Sequence, residues 1–309
     1  MGLCRKIFTG LICFLPVMTG GFTGGVFPAA GDTGVPLEPL TWTEVPLPAE
    51  GKTGDWVLAP GATVNCLETG PDGTLWAGVD GLTEHLFYSN DHGYRWHATG
   101  KVQEPVVAIA VVPDDASRIY YTTDSAVFYS ADYGRNFARL GASPGGAGTE
   151  NIQITAIDAT WRNGVILAAA TCDADTGEYG GVYLLDESKG NFTWEDTGLS
   201  GCDVCCVSFS PAYASDCLLM AVATDETDTR VMFRNGDAGW NGAYAPVRLS
   251  SSDKPASGAV AAISACLAFP DDFHGIERPV LYAGIAGGTG DGDVYRIDPL
   301  AGNTATDLN

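Results

Sequence analysis

The chain has 309 residues, of which 45% are hydrophobic and 17% are charged, and its formal net charge is -22 at pH 7. The apolar fraction is large enough to fill a core, which excludes a disordered acidic tail, and the charged fraction is too small for a coiled coil. Because so acidic a surface repels phosphate backbones, the composition argues against a nucleic-acid partner. The 40 glycines indicate a turn-rich, β-rich body.

The N-terminal segment has the pattern of an export signal. Arg5 and Lys6 precede an uncharged run, Ile7–Phe27. The most apolar part of this run, Ile7–Met18, matches the length of a signal-peptide core, about 7–15 residues. We interpret residues 1–30 as a signal peptide. An uncleaved membrane anchor is the alternative, because an uncharged run of this length could just span a bilayer.

The rest of the chain divides into a linker and one domain. Residues 31–40 belong to a stretch rich in proline and small side chains, which predicts a linker. Residues 41–309 form the predicted domain, beginning with a short strand at Thr41–Leu47. Whether the leader is removed or retained, we predict that the protein is secreted or lies at the cell surface.

A turn motif, Ser-x-Asp-x-Gly-x-x-aromatic, recurs along this domain. Its two full copies are Ser89, Asp91, Gly93 and Trp96, and then Ser130, Asp132, Gly134 and Phe137. Three degraded copies follow at Asp186–Thr193 with Gly190, at Asn235–Gly239 with Asp237 and Gly239, and at Asp298–Gly302. A motif that recurs at one place in each unit predicts a repeat protein.

The strands around these turns also repeat. In the first unit, an aromatic strand at Leu86–Tyr88 precedes the turn, a small apolar strand at Leu75–Gly78 comes before it, and a strand near Val64–Leu67 comes first. Five such units of four antiparallel strands predict an all-β fold, a β-propeller. The five units form either an incomplete ring or a five-bladed ring, which Thr41–Leu47 could close by pairing with the last unit.

The turn motif resembles the Asp-box of the bacterial-neuraminidase-repeat propellers, a group that includes sialidases, sortilin-like receptors, a photosystem-assembly factor and secreted bacterial propellers. The phrases Phe209–Asp216 and Phe269–Phe273 are most similar to the secreted and S-layer-associated members. The resemblance implies that Asp91 and Asp132 are structural acceptors rather than catalytic acids. It also implies that the aromatic residue of the motif packs between blades.

A sialidase-like enzyme is the competing interpretation. The resemblance implies that such a site would need three convergent arginines, a Tyr nucleophile with a Glu partner, and an Asp acid. Arg95, Arg135 and Arg139 lie on or beside the Asp-turns, where a structural role is favoured, and no Arg-Ile-Pro segment is present near the N-terminus. The sequence therefore predicts no catalytic residues.

The loops between the second and third strands of the units are rich in aspartate. They contain Asp80, Asp124, Asp173, Asp175, Asp225, Asp228, Asp291 and Asp293. In a propeller these loops emerge on one face, opposite the Asp-turns, so we expect that face to be acidic. Alternating carboxylates beside glycine suit oxygen coordination of a hard cation. Plain solvated hairpins are the favoured interpretation of these loops. The hypothesis beside it is calcium, the one candidate cofactor, bound by Asp173 and Asp175, by Asp291 and Asp293, or by both loops.

Seven cysteines follow the leader, at positions 66, 172, 202, 205, 206, 217 and 266. Three interpretations are open: buried thiols, one disulfide joining Cys217 to Cys202 or Cys205, and a zinc site at Cys202-x-x-Cys205-Cys206. Cys205 and Cys206 are adjacent on a predicted inner strand, so we expect them to point to opposite faces, which disfavours zinc.

The sequence thus predicts an exported, non-catalytic propeller with a structural or binding role at the cell surface, similar to an S-layer subunit. The predicted partners are a cell-surface protein, a glycan or further copies of the chain. The alternatives are an extracellular carbohydrate-active enzyme of the sialidase-like, glycoside-hydrolase type, and a docking protein similar to the photosystem-assembly factor.

Overall fold

The computed structural model describes residues 62–102, 104–236, 239–250, 261–287 and 292–308. The predicted signal peptide, linker and first strand, Thr41–Leu47, lie outside these ranges. Within them, each of the five predicted units is one four-stranded antiparallel sheet whose strands follow sequence order. The predicted all-β fold is therefore confirmed as a five-bladed β-propeller.

The strands of the five blades are numbered in chain order. The first blade contains β1 (Thr63–Thr69), β2 (Leu75–Asp80), β3 (Leu86–Ser89) and β4 (His97–Ala98). The second contains β5 (Ala108–Val112), β6 (Asp115–Thr122), β7 (Val127–Ser130) and β8 (Ala138–Arg139). The third contains β9 (Ile152–Trp161), β10 (Val165–Asp173), β11 (Gly181–Asp186) and β12 (Glu195–Asp196).

The fourth blade contains β13 (Asp203–Phe209), β14 (Leu218–Thr224), β15 (Thr229–Asn235) and β16 (Val247–Leu249). The fifth contains β17 (Ala262–Ala268), β18 (Leu281–Gly287), β19 (Asp293–Ile297) and β20 (Thr306–Asp307), so its fourth strand comes from the C-terminal segment. A one-turn helix, α1 (Tyr213–Asp216), lies in the turn between β13 and β14. No helix in the described ranges is long and apolar enough to cross a membrane.

The core is divided among the interfaces between consecutive blades. Strand β10 shows how this arises, because its side chains alternate between two clusters. Leu167 packs with Tyr120 toward the second blade, whereas Ala168 and Ala170 pack with Phe209 toward the fourth. A strand buried on both faces needs apolar side chains on both, which explains why residues 167–170 of β10 are continuously apolar.

The inner strands, β1, β5, β9, β13 and β17, are neighbours in sequence order around the axis. Four of them carry a β-bulge, whose extra residue is Asn65, Thr155, Cys205 or Ile263. The Thr155 hydroxyl donates to the Val204 carbonyl, 2.5 Å away in the next blade. The Cys205 thiol makes the equivalent contact with the Ala262 carbonyl at 3.5 Å. The bulges therefore supply side chains that link successive blades.

Candidate functional site

The two full turn motifs have the same hydrogen-bond network. In the second blade, the Ser130 hydroxyl donates to Asp132 Oδ1 at 2.8 Å and accepts from the Gly134 N–H at 2.9 Å. Asp132 also accepts from the backbone and side-chain N–H groups of Asn136, at 2.9 and 2.7 Å. In the first blade, Asp91 Oδ1 accepts from the Ser89 hydroxyl at 2.9 Å and from the Arg95 N–H at 2.8 Å. Both carboxylates act as acceptors that close a turn.

The electrostatics of these two carboxylates follow from the hydrogen bonds. The Asn136 side chain and backbone, with Ser130, lower the pKa of Asp132 to about 2. For Asp91, desolvation acts to raise the pKa, but the bonds from Arg95 N–H and Ser89 outweigh it and the pKa is lowered. A general acid needs the opposite shift, toward the working pH. These hydrogen bonds and lowered pKa values are what a structural carboxylate requires, and the structural role of Asp91 and Asp132 stays a prediction.

The aromatic residues of the two full motifs pack in different places. Phe137 lies in the cluster between the first and second blades, with its ring edge-on to Tyr121 at 5.1 Å. Trp96 packs instead against Ala77, Val79 and Phe87 on the opposite face of the first blade. In the described ranges this cluster contains residues of the first blade and its flanking segments, and none of the fifth blade.

The degraded copies keep parts of the turn. Asp186 Oδ1 accepts from the Ser188 N–H and hydroxyl, at 2.9 and 2.6 Å, and Gly190 ends this turn with φ +68°. Gly239 has φ +75°, while Asp237 lies outside the described residues. In the last blade, Asp298 Oδ1 accepts from the Leu300 N–H at 3.2 Å. The aspartate of the third and fifth copies still holds a main-chain N–H.

The aspartates predicted to bind calcium take part in loop hydrogen bonds. Asp173 Oδ1 accepts from the Asp175 N–H, and Asp175 Oδ2 from the Asn151 amide, both at 2.8 Å. Asp293 lies in another blade and bonds to the Val294 N–H at 2.7 Å, and Asp291 lies outside the described residues. No group of three His, Cys, Asp or Glu side chains within the described ranges is arranged to hold a metal ion. Calcium binding stays a prediction.

One partly buried trio, Arg118, Tyr120 and Glu187, contains the residue types of a sialidase nucleophile. The Tyr120 hydroxyl donates to Glu187 Oε1 at 2.7 Å, and Glu187 also pairs with Arg118. Tyr120 is 1% exposed, and burial, with the adjacent Glu187 charge, raises its pKa far above the ordinary value. A tyrosine nucleophile needs access to substrate and a base that removes its proton. Here the neutral hydroxyl is a donor that joins the second blade to the third.

Two carboxylates with raised pKa values lie on the inner strands. Burial raises the pKa of Asp158 on β9 to about 6, against the effect of its hydrogen bonds. Burial and the charge of Asp158 raise the pKa of Glu68 on β1 to about 7. Sequence reasoning missed both residues, since single carboxylates on a strand have no motif. Asp158 also accepts from the Phe209 N–H at 2.8 Å and the Ser208 hydroxyl at 3.0 Å, so it links the third blade to the fourth.

None of the seven cysteines forms a disulfide with another in the described part of the chain. Cys202 precedes β13, and Cys217 precedes β14 at the opposite end of the β13–β14 hairpin. Strand residues rise about 3.3 Å each, so this seven-residue strand separates the two far beyond the Cα distance of a disulfide, about 4–7 Å. Cys205 also lies most of the strand away from Cys217. The proposed pairings with Cys217 are therefore excluded.

Two cavities open on the face of the propeller that carries the turns of the Ser-x-Asp-x-Gly motif, which we call the Ser–Asp turns. The interblade cavity, of about 570 Å³, lies between the first two blades and is lined by Asp72, Trp76, Tyr88, Thr99, Tyr133 and Arg135, among others. The last-blade cavity, of about 690 Å³, is lined by Arg278, Tyr282, Arg296 and Asp298, with prolines and Leu300. Arg278 and Arg296 are each paired with an aspartate, Asp272 and Asp298. Neither cavity was predicted from the sequence, and the interblade cavity combines residues that are distant along the chain.

No protein-family model matches the chain, and no curated protein matches it. Among solved structures, it is similar to an ancestral GH74 enzyme, with 19% identity and a TM-score of 0.54 over 83% of this chain and 32% of that one. It is also similar to the GH74 enzyme of Niastella koreensis, with 15% identity and a TM-score of 0.52 over 78% of this chain and 37% of that one.

A third similar structure is the extracellular domain of a hybrid two-component system from B. thetaiotaomicron, with 14% identity and a TM-score of 0.50 over 82% of this chain and 28% of that one. The chain thus spans about a third of the length of these structures. At such identities the likeness concerns the fold alone, since one propeller fold serves many functions. The comparisons therefore place this chain among β-propellers.

Proposed function

We propose that the chain is an exported, non-catalytic propeller of the Asp-box type that binds a partner at the cell surface. The observation that carries this proposal is a difference between the motif carboxylates and the cavity beside them, on the face with the Ser–Asp turns. The carboxylates of the full motifs are committed to their turns, while an open cavity with an exposed aromatic side chain, Tyr133, lies beside them. Such a surface suits recognition without reaction.

The N-terminal pattern supports export, because Arg5 and Lys6 before an apolar run suit secretion. The acidic composition supports it further, since a net charge of -22 keeps the protein soluble and apart from nucleic acids. A role as a surface-layer subunit is compatible with the same binding surface, with further copies of the chain as the partner.

The test is affinity electrophoresis of the purified protein in gels that contain neutral or acidic polysaccharides, with binding of fluorescently labelled protein to intact cells as the second arm. We expect retardation or cell labelling without release of reducing ends during prolonged incubation. Release of reducing ends would replace the proposal with a glycoside hydrolase. A protein that is neither retarded nor bound to cells would overturn the binding function.

The enzyme alternative has one observation in its favour. Glu68 and Asp158 have pKa values raised toward neutrality, and perturbed carboxylates concentrate at functional sites. If reducing ends are released, the Glu68→Gln variant decides whether this pair is responsible. Activity that survives in Glu68→Gln would remove the pair from consideration, whereas its loss in a folded variant would assign the pair a role in catalysis.

A further inference from the structure

We propose that the interblade cavity is a binding subsite for one neutral pyranose unit of a glycan, with Tyr133 as its stacking platform. This inference rests on the proposed binding function and names its site and ligand class. The volume of about 570 Å³ lies within the range of small-molecule sites, about 300–1,000 Å³. Its walls come from two successive blades.

The cavity has an aromatic wall and an aromatic mouth. Trp76 and Tyr88 lie side by side, with ring centroids 5.5 Å apart. Trp76 is held down by the turn of the second blade, because a Cβ atom on Gly134 would meet its ring at 2.4 Å. Tyr133 is 57% exposed at the mouth. An exposed aromatic ring such as that of Tyr133 can stack on the apolar face of a sugar.

The backbone of Tyr133 holds this ring in place under strain. Its φ is +60°, the left-handed region that glycine and asparagine adopt at lower cost. The Tyr133 N–H donates to the Ser117 carbonyl at 3.1 Å, which fixes the residue to β6. His92, at the same position of the first motif, has a φ of +62°, so the left-handed backbone belongs to the turn. The turn thereby presents the Tyr133 side chain at the surface, where it is 57% exposed.

The polar groups of the cavity match hydroxyl groups rather than a charge. The Thr99 hydroxyl is buried and finds no hydrogen-bond partner in the described part of the chain. Asp72 uses Oδ1 to accept from the Thr74 N–H at 3.0 Å, and Asn90 and Arg135 add an amide and an exposed guanidinium. Together they offer acceptors and donors. Sugar hydroxyls do both, so a pyranose could satisfy Thr99 and its neighbours at once.

The charge of the surroundings selects against anionic sugars. The chain carries a net charge of -22, and Asp72 contributes a carboxylate to the cavity itself. Asp72 and Arg135 are the two charged lining residues, and both are exposed to solvent, so their opposite charges offset each other and are screened alike. What remains is the negative charge of the whole chain, which repels a uronate or sialate but not a neutral pyranose.

The experiment is saturation-transfer difference NMR with a panel of methyl glycosides of glucose, mannose, galactose, fucose and N-acetylglucosamine, on the wild-type protein and three variants. Tyr133→Ala removes the platform, and Thr99→Val removes the unpartnered hydroxyl at nearly constant shape. Tyr94→Ala is the matched control, because Tyr94 is a 56% exposed aromatic on the turn of the first blade that does not line the cavity.

We expect at least one glycoside to bind the wild type and Tyr94→Ala equally, and to bind Tyr133→Ala about tenfold more weakly. Thr99→Val should weaken binding without lowering Tm, because the hydroxyl it removes has no partner to lose. The affinity gels and the cell-binding test described above separate the two proposals. If polysaccharide or cells bind the wild type and Tyr133→Ala equally, the subsite is overturned and the binding function stands. If neither binds the wild type, the binding function itself is overturned.

Discussion

The carboxylate of Asp158 on the third blade accepts a hydrogen bond of 2.8 Å from the main-chain N–H of Phe209 on the fourth. The same carboxylate accepts from the Ser208 hydroxyl at 3.0 Å and from the Ala159 N–H at 2.7 Å. Three donors converge on one side chain on an inner strand. Protonation of Asp158 therefore changes the link between the third and fourth blades, so the stability of the propeller depends on pH.

We expect the protein to lose stability as the pH rises from about 4 to about 7. The pKa values of Asp158, about 6, and Glu68, about 7, are above those of the unfolded chain, 3.8 and 4.5. In this window the folded state binds more protons than the unfolded state, so the free energy of unfolding falls as the protons leave. We expect Tm to fall by about 3–8 °C for a domain of this size.

Circular-dichroism melts at constant ionic strength measure the slope of Tm against pH. Glu68→Gln should make this slope smaller, whereas Glu178→Gln, which changes an exposed loop carboxylate, should leave it unchanged. Asp91 and Asp132 have lowered pKa values and contribute only at lower pH, as they become protonated. A Tm that rises over the window, or a slope unchanged by Glu68→Gln, would contradict the prediction.

Ser130→Ala should lower the free energy of unfolding by about 1–3 kcal/mol, because the buried Gly134 N–H loses its acceptor. The loss should appear as a lower urea midpoint with an unchanged m-value. Ser215→Ala is the control. Its exposed hydroxyl donates to the Ala212 carbonyl, and its removal should change stability by less than about 0.5 kcal/mol. Equal effects of the two variants would argue against a structural role for the turn.

Gly134 and Gly73 allow steric and conformational costs to be separated. Both have left-handed φ values, +71° and +82°, but only a Cβ at Gly134 would meet a neighbour, Trp76, at 2.4 Å. Gly73→Ala should therefore cost about 1 kcal/mol for the backbone alone. Gly134→Ala should cost about 1–3 kcal/mol more, since a packed ring must move. Urea unfolding of both variants measures the difference, and equal losses would mean that the ring yields freely.

The blade pattern could be predicted from the sequence because each propeller unit is local. Strands, turns and their order repeat along the chain, so the positions of β2, β3 and the Ser–Asp turns follow from neighbouring residues. The hydrogen bonds of Ser130 and Asp132 join residues no more than four positions apart. Local chemistry of this kind is visible in a single sequence.

The adjacent cysteines show where sequence reasoning fails. Strict alternation predicted that Cys205 and Cys206 point to opposite faces, and this was wrong, because both pack against the cluster between the fourth and fifth blades. The β-bulge at Cys205 breaks the two-residue period, and no residue type in the sequence announces it. The interblade cavity was missed for a related reason, since Thr99 and Tyr133 meet only when two blades are assembled.

The buried thiols should be inert in the native protein. Burial raises the pKa of Cys66 to about 12 and that of Cys202 to about 11, where the charge of Asp203 adds to the effect. Burial also raises the pKa of Cys205, whose thiol donates to the Ala262 carbonyl. Because the thiolate is the reactive form, these three residues should resist alkylation at neutral pH. Their modification should require unfolding.

Iodoacetamide labelling followed by peptide mass spectrometry tests this at each cysteine. We expect Cys66, Cys202 and Cys205 to remain unmodified in native protein and to react fully in urea, which serves as the control for reagent and time. Partial labelling that tracks the unfolded fraction in intermediate urea would show that access requires opening of the blades. Rapid native labelling of Cys205 would instead mean that the bulge between the fourth and fifth blades is open to solvent, and the link to Ala262 would have to be abandoned.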